Sequence, residues 1–432
     1  MEDNPEIREQ RERRSAFKIT KDMNAFIASF QFAVMQLRVM HMSRSVQLYG
    51  HISGIYGQTR KSLLFRGGMT LRLLNGFFAY MHPSFVFAKK IRFIMRVLSQ
   101  GNKSPKPRCV ATLTDHSNWV TSATFNPSGT LLATVSDKTA KLWRFKDTPW
   151  SATCVATLEG HDRSISSVAF HPSMPYLLTG SEDGTANVWN LLSNGSNSVC
   201  INTVFTYDKQ KKFPLIHSVN AVAFHPKETL LAIGSSNMTA ILWRFSPDGK
   251  DLTCVATLEG HSNWVNSIAF NPAGTILASG SKDGTAKLWN ILLDGKDPTC
   301  VATLKGHSNS VTSIAFNPAG TILATGSDDN TVKLWPLSPN GTVETCVATL
   351  EGHSNRVASV AFNPAGTILA TGSDDNTVKL WRLSPDGTVV ICVATLNETS
   401  YTDSFVAFHP KWLLLATGSE NPYEVALRAL FM

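Results

Sequence analysis

Nowhere in these 432 residues do two cysteines lie close together; the nearest pair, Cys109 and Cys154, is 45 positions apart. A metal site built on two cysteines a few residues apart is therefore absent from the pattern. The cysteine count, seven, is odd, which argues against a secreted framework of paired disulfides. No stretch of about 18 residues is free of both charge and helix breakers, as a membrane span requires. The nearest, residues 73–88, contains His82 and Pro83. Acidic residues soon follow Met1 and no small-residue cleavage site closes a short apolar core, so no secretory signal is visible. No Gly-x-x-x-x-Gly-Lys-Ser/Thr phosphate loop occurs. Acidic residues are scarce in one region only. Residues 1–108 hold 6 Asp and Glu against 19 Lys and Arg, a net of +13, whereas residues 109–432 hold 26 against 21, a net of −5. The overall +8 describes neither part.

What is present is repetition. The cysteines fall at 109, 154, 200, 254, 300, 346 and 392, mostly 46 residues apart with one gap of 54. Six of them open the phrase Cys-Val-Ala-Thr-Leu, and four of those phrases run on to Gly-His. A cysteine that recurs once per unit is a position in a repeat. Spaced so far apart, these residues read as small buried hydrophobes.

The copy that starts at Cys254 reads as four short strands. Cys254-Val-Ala-Thr-Leu is β-rich. Val265-Asn-Ser-Ile-Ala-Phe270 alternates, and Asn271-Pro-Ala-Gly274 turns the chain. Thr275-Ile-Leu-Ala-Ser-Gly-Ser281 is a second alternating run, Asp283-Gly284 a hairpin signal, and Thr285-Ala-Lys-Leu-Trp289 another strand. A four-stranded sheet of this size cannot bury both faces alone, so neighbours must stack.

The 46-residue period, the Gly-His and the Gly-Ser-x-Asp-x-Thr-x-x-x-Trp run at 280–289 resemble the WD40 family over about three quarters of the chain. One departure is plain. The Trp-Asp pair never occurs, since Trp is followed by Arg144, Asn190, Arg244, Asn290, Pro336 or Arg382. The resemblance implies an all-β, seven-bladed propeller over residues 109–432, closed by the first repeat strand pairing with the last blade. It also implies a polar network within each blade. Those sets are His161, Thr179, Asp183 and Trp189; His261, Ser279, Asp283 and Trp289; His307, Thr325, Asp329 and Trp335; and His353, Thr371, Asp375 and Trp381. A hydroxyl, an imidazole and a carboxylate also make a hydrolase trio. Four copies of it suit a structural role, because nucleophile activation needs an exposed, strained turn and Thr325 lies mid-strand.

Three repeats depart from the pattern. The first is one residue short before Asp137. The third lacks the in-register His and carries Ile233 and Asn237 where a Thr and an Asp belong. The seventh has Leu427 for Trp, Asn421 for Asp and no Gly-His. These blades are expected to be the least stable.

The variable positions point to partners. In the resemblance, the residue before each inner strand lies on the face most used for binding. It is Trp119, Ser164, Ser218, Trp264, Ser310, Arg356 and Thr402 in turn. Trp and Arg are enriched at binding hot spots. The residues before the turn Asp add Glu182, Lys282, Asp328 and Asp374. A longer third repeat supplies Tyr207, Lys209, Lys211, Lys212 and Phe213, which could grip an acidic or phosphorylated segment.

Residues 1–108 read as a basic, mainly helical region, with Phe87, Ile91, Ile94 and Leu98 on one stripe and Lys89, Arg92 and Arg96 on another. Such a helix suits a small domain on the propeller, an anionic membrane or nucleic acid. The expected function is a non-catalytic scaffold that binds proteins or peptides on one rim, with no cofactor, no metal and no small-molecule substrate. It is expected inside the cell, in the cytoplasm or the nucleus. The alternative is a substrate-recognition adaptor of a ubiquitin ligase, docked through residues 1–108. That reading rests on apolar runs near residues 71–84 that are faintly similar to an F-box.

Overall fold

The computed structural model describes residues 107–145, 151–192, 195–206, 216–291, 297–338, 343, 345–397, 405–418 and 423–430. The helical expectations for residues 1–108, apart from their last two, lie outside them. So do Lys211, Lys212, Thr402 and Asn421. Every regular element among the described residues is a β-strand, and the strands form seven four-stranded antiparallel sheets.

Blade 4 shows the plan: Val265–Phe270 innermost, then Ile276–Ser281, Thr285–Asn290 and, outermost, Thr299–Lys305. The second strand is buried at all six positions, because neighbouring blades cover both its faces. Each apolar cluster is accordingly shared by two blades. Leu230 and Leu242 of blade 3 pack with Ile268, Leu277 and Trp289 of blade 4. The innermost strands touch both neighbours in sequence, and the circuit returns from blade 7 to blade 1. Side chains at the second position of the inner strands stitch the circuit. Thr121 donates to Ile165 O at 2.9 Å, and Asn220 and Asn266 donate to Val265 O and Val311 O at 3.1 Å each.

Blade 7 is a composite. Its own strands are Val406–Phe408, Leu414–Gly418 and Val425–Ala429, and Arg108–Leu113 completes the sheet. Leu113 pairs with Val425 and Ala111 with Leu427. That closure covers an edge which would otherwise be free to pair with another molecule. The far end of the joint is held by His409. Its Nε2 donates to Gly129 O of blade 1 at 2.9 Å, its ring stacks on Trp412, and Phe125 meets it edge-on. Only glycine suits position 129: φ is +74°, and an added Cβ would lie 2.4 Å from the imidazole.

All seven cysteines are free thiols: six are exposed and lie in the outermost strands, and Cys346, partly exposed, lies two residues before the outermost strand of blade 5. The expectation of buried small hydrophobes is overturned. The cause is a β-bulge. Cys254 pairs with Trp243 and Ala256 with Leu242, so Val255 is an extra residue. It puts Cys254 on the face opposite Leu258, which is buried.

Candidate functional site: polar networks and one rim

Each complete blade holds a chain of hydrogen bonds from indole to carboxylate. In blade 5 the Trp335 Nε1–H donates to Thr325 Oγ1 at 2.9 Å, Thr325 is 2.7 Å from His307 Nε2, and His307 Nδ1 is 2.8 Å from Asp329 Oδ2. Burial lowers the His307 pKa, against the opposing pull of Asp329, so the imidazole is neutral at pH 7. With one ring proton it donates to the carboxylate and accepts from the threonine hydroxyl. Asp329 also accepts from Ser308 N and from the amide and hydroxyl of Thr331. The same set recurs at His161, Thr179, Asp183 and Trp189. It recurs again at His261, Ser279, Asp283 and Trp289. The fourth copy is His353, Thr371, Asp375 and Trp381.

A Thr-His-Asp relay in this order could in principle activate a hydroxyl. The Thr325 side chain is fully buried, and the indole N–H occupies its oxygen. Among the described residues no group of three or more His, Cys, Asp or Glu is placed to hold a metal ion.

Replacing Thr325 by the isosteric Val leaves Trp335 Nε1 without an acceptor and His307 Nε2 without a donor in a dry site. At about 1–3 kcal/mol for each unpaired buried group, Thr325→Val is expected to destabilise by roughly 2–4 kcal/mol in urea unfolding. The exposed Thr303→Val should stay within about 0.5 kcal/mol.

Sequence reasoning omitted parts of this network. Thr185, Thr285, Thr331 and Thr377 each clamp their Asp by amide and hydroxyl. The recurring Asp-x-Thr was the available signal. Blade 1 has a partial set: His116 Nε2 is 2.6 Å from Thr134 Oγ1, which also accepts from Trp143 at 2.8 Å. Its turn is one residue short, and His116 Nδ1 is buried without a partner among the described residues. In blade 3, Ile233 removes the hydroxyl, and the Trp243 indole N–H is buried without a partner among the described residues. In blade 7, Leu427 does not stand where Trp was expected. The turn from Gly418 to Val425 is one residue longer than its counterpart, so Arg428 faces Leu415. Arg428 Nε donates to Thr417 Oγ1 at 3.0 Å, which is the bond an indole makes elsewhere.

The rim combines the loops that lead into the inner strands with the turns between second and third strands. Hydrogen bonds tie them: Lys282 N to Trp264 O, Asp328 N to Ser310 O and Asp374 N to Arg356 O. Trp119 and Trp264 are 52% and 46% exposed, although each is an apolar side chain. Lys282 Nζ rests 4.5 Å above the Trp264 ring. Arg356 lies between two blades, with Nε 3.5 Å from Asp328 and 3.9 Å from Asp374. Ser164 is half-buried, its hydroxyl 3.5 Å from Asp137. Ser310 is buried and offers a partner almost no surface.

A sequence model of the family described as WD domain, G-beta repeat matches residues 107–144, 152–190, 210–244, 252–290, 298–336 and 344–382. Those six segments amount to more than half of the chain, and the last three strands of blade 7 lie outside them. Two curated proteins of Arabidopsis thaliana are similar to part of it. Coatomer subunit beta'-1 is 31% identical and coatomer subunit beta'-2 is 33% identical, each over 121 residues. The shared stretch is 28% of this chain and only 12% of either relative.

Proposed function

The chain belongs to the WD40 family, and from that premise we propose that it is a non-catalytic scaffold which captures partner proteins on one rim of its propeller. One observation carries this reading. Two of the seven loops leading to inner strands hold out a tryptophan whose backbone amide donates to the side-chain Oδ1 of Asn118 or Asn263. Three of the equivalent loops carry serine. An exposed aromatic held on a rigid frame loses little entropy on binding, and such residues anchor interfaces.

The basic region 1–108 is read as a separate tether for an anionic surface, a reading supported by its net +13 beside a body of net −5. The likeness to two coatomer subunits covers too little of either to carry a role in a coat. Alanine at Trp119, Trp264 and Arg356 is expected to weaken partner capture about tenfold or more in pull-downs. The melting temperature should fall by no more than about 4 °C. Unchanged capture by the triple variant removes the assignment.

A further inference from the structure

Blade 3 breaks two rules at one point of the rim. In blades 2, 4, 5 and 6 the third residue after the second strand's glycine-serine is held at positive φ by Asp-Gly or Asp-Asn. The residues are Gly184 (81°), Gly284 (80°), Asn330 (68°) and Asn376 (61°). Glycine and asparagine tolerate that left-handed conformation. Blade 3 places Met238 there at φ 69°, with its side chain 44% exposed. A large apolar side chain thus stands in solvent on a backbone that disfavours it. Packing does not explain the choice, and observed strain of this kind gathers at functional sites.

Its neighbours are of the same character. A Cβ at Gly284 would meet Asn309 O and His307 O of the loop leading to blade 5, and one at Gly184 would meet Ile216 of the loop leading to blade 3. The repeat puts Met238 in the same relation to residues 261–263, which lead directly to Trp264. Ser236 N, two residues before Met238, bonds Ser218 O, two residues after Ile216. Ile216 (48% exposed), Met238 and Trp264 therefore form one apolar arc across the rim. Lys282 ends the arc. It is exposed, makes no ion pair among the described residues, and rests its ammonium over the Trp264 ring.

We infer that this arc, Ile216–Met238–Trp264 with Lys282 at its end, is a docking site for a peptide segment that carries an apolar side chain beside a carboxylate. The apolar group covers Met238 and Trp264, which can adapt and stack respectively. The carboxylate takes the ammonium of Lys282, and this complementarity sets the sign of the partner. The inference rests on the rim reading above and narrows it to one sector and one chemistry.

The test uses the full chain and two panels of acetylated nonapeptides. Each peptide carries one Leu or Phe, followed by Glu in the first panel and by Lys in the second. The Glu panel is expected to bind at least about tenfold more tightly than the Lys panel in fluorescence titration. Met238→Gly should weaken binding of the Glu panel about fivefold or more while raising the melting temperature, because glycine relieves the strained backbone. Lys282→Glu should reverse the preference between panels. Equal binding of the two panels, or wild-type affinity in Met238→Gly, overturns the proposal. If pull-downs depend on Trp119 and Arg356 but not on Met238 or Lys282, the rim reading stands and this assignment falls. If none of the four matters, both fall.

Discussion

Between pH 6.5 and 4 the propeller is expected to lose on the order of 5 kcal/mol of stability, with two buried histidines sufficient to cause it. Burial pushes His116 and His171 down to about 4 from an ordinary value of 6.5. The folded chain refuses protons that the unfolded chain accepts. The stability these groups contribute is therefore complete above pH 6.5, declines as pH falls toward 4, and is level below. At about 1.4 kcal/mol per pH unit, the gap accounts for the loss without help from other groups. His225, His261, His307, His353 and His409 are shifted in the same direction, burial being the largest cause each time. A second decline opens below about pH 4. Burial raises Asp283, but bonds from Thr285, His261 and Ser262 outweigh it and hold the carboxyl at about 2. Total stability of a domain is about 5–15 kcal/mol, so unfolding near pH 4.5 at moderate temperature is expected. Melting curves from pH 7.5 to 4 check it. His171→Asn should flatten the profile, because Asn271 and Asn363 do the same turn-capping work in blades 4 and 6 without titrating. A profile level from pH 7 to 4.5 would contradict the account.

Leu113→Asp is expected to destabilise by at least about 3 kcal/mol, and Thr112→Asp by less than about 0.5 kcal/mol. The two residues are adjacent in the strand that completes blade 7, and they point to opposite faces. Leu113 is buried among Val120, Phe125, Phe405 and Leu427, whereas Thr112 is exposed. A carboxylate in that cluster has no cation to pair with, so it either forces the strand out or remains buried at high cost. Hydrogen exchange distinguishes this joint from general weakening. Amides of Leu414–Gly418 and Val425–Ala429 should lose protection in Leu113→Asp before those of blade 5 do. Equal loss in all blades, or none, would show that the first segment does not lock the ring.

The strands were legible because near-identical copies repeat the same alternation seven times, and the closure because the resemblance to the WD40 family implies it. A period of 46 residues with turn residues at fixed offsets leaves few alternative sheets. The full networks were legible through the same resemblance, and Trp119 and Trp264 stood out because their sister positions carry other residues. What escaped were single-residue changes in register. A bulge after six of the seven cysteines reverses the alternation and turns the thiol outward, which their wide spacing did not reveal. The longer turn after Gly418 moved the indole's role from Leu427 to Arg428. Ser310 looked equivalent to Trp264 by position, but a short side chain does not reach past the loops that cover it. Met238 gave no warning in composition. Only its backbone angle, set by the repeat around it, marks it as costly.

Because every apolar layer is held jointly by two sheets, no blade depends on its own residues alone. Blade 3 has given up its hydroxyl, its carboxylate and its imidazole, yet Leu231, Ile233 and Phe245 still pack in the layer shared with blade 2, and Leu230, Ala232 and Leu242 in the layer shared with blade 4. Cohesion supplied from the flanks frees one member of the ring to diverge. Novelty in such a molecule should collect where a copy has been released from supporting itself.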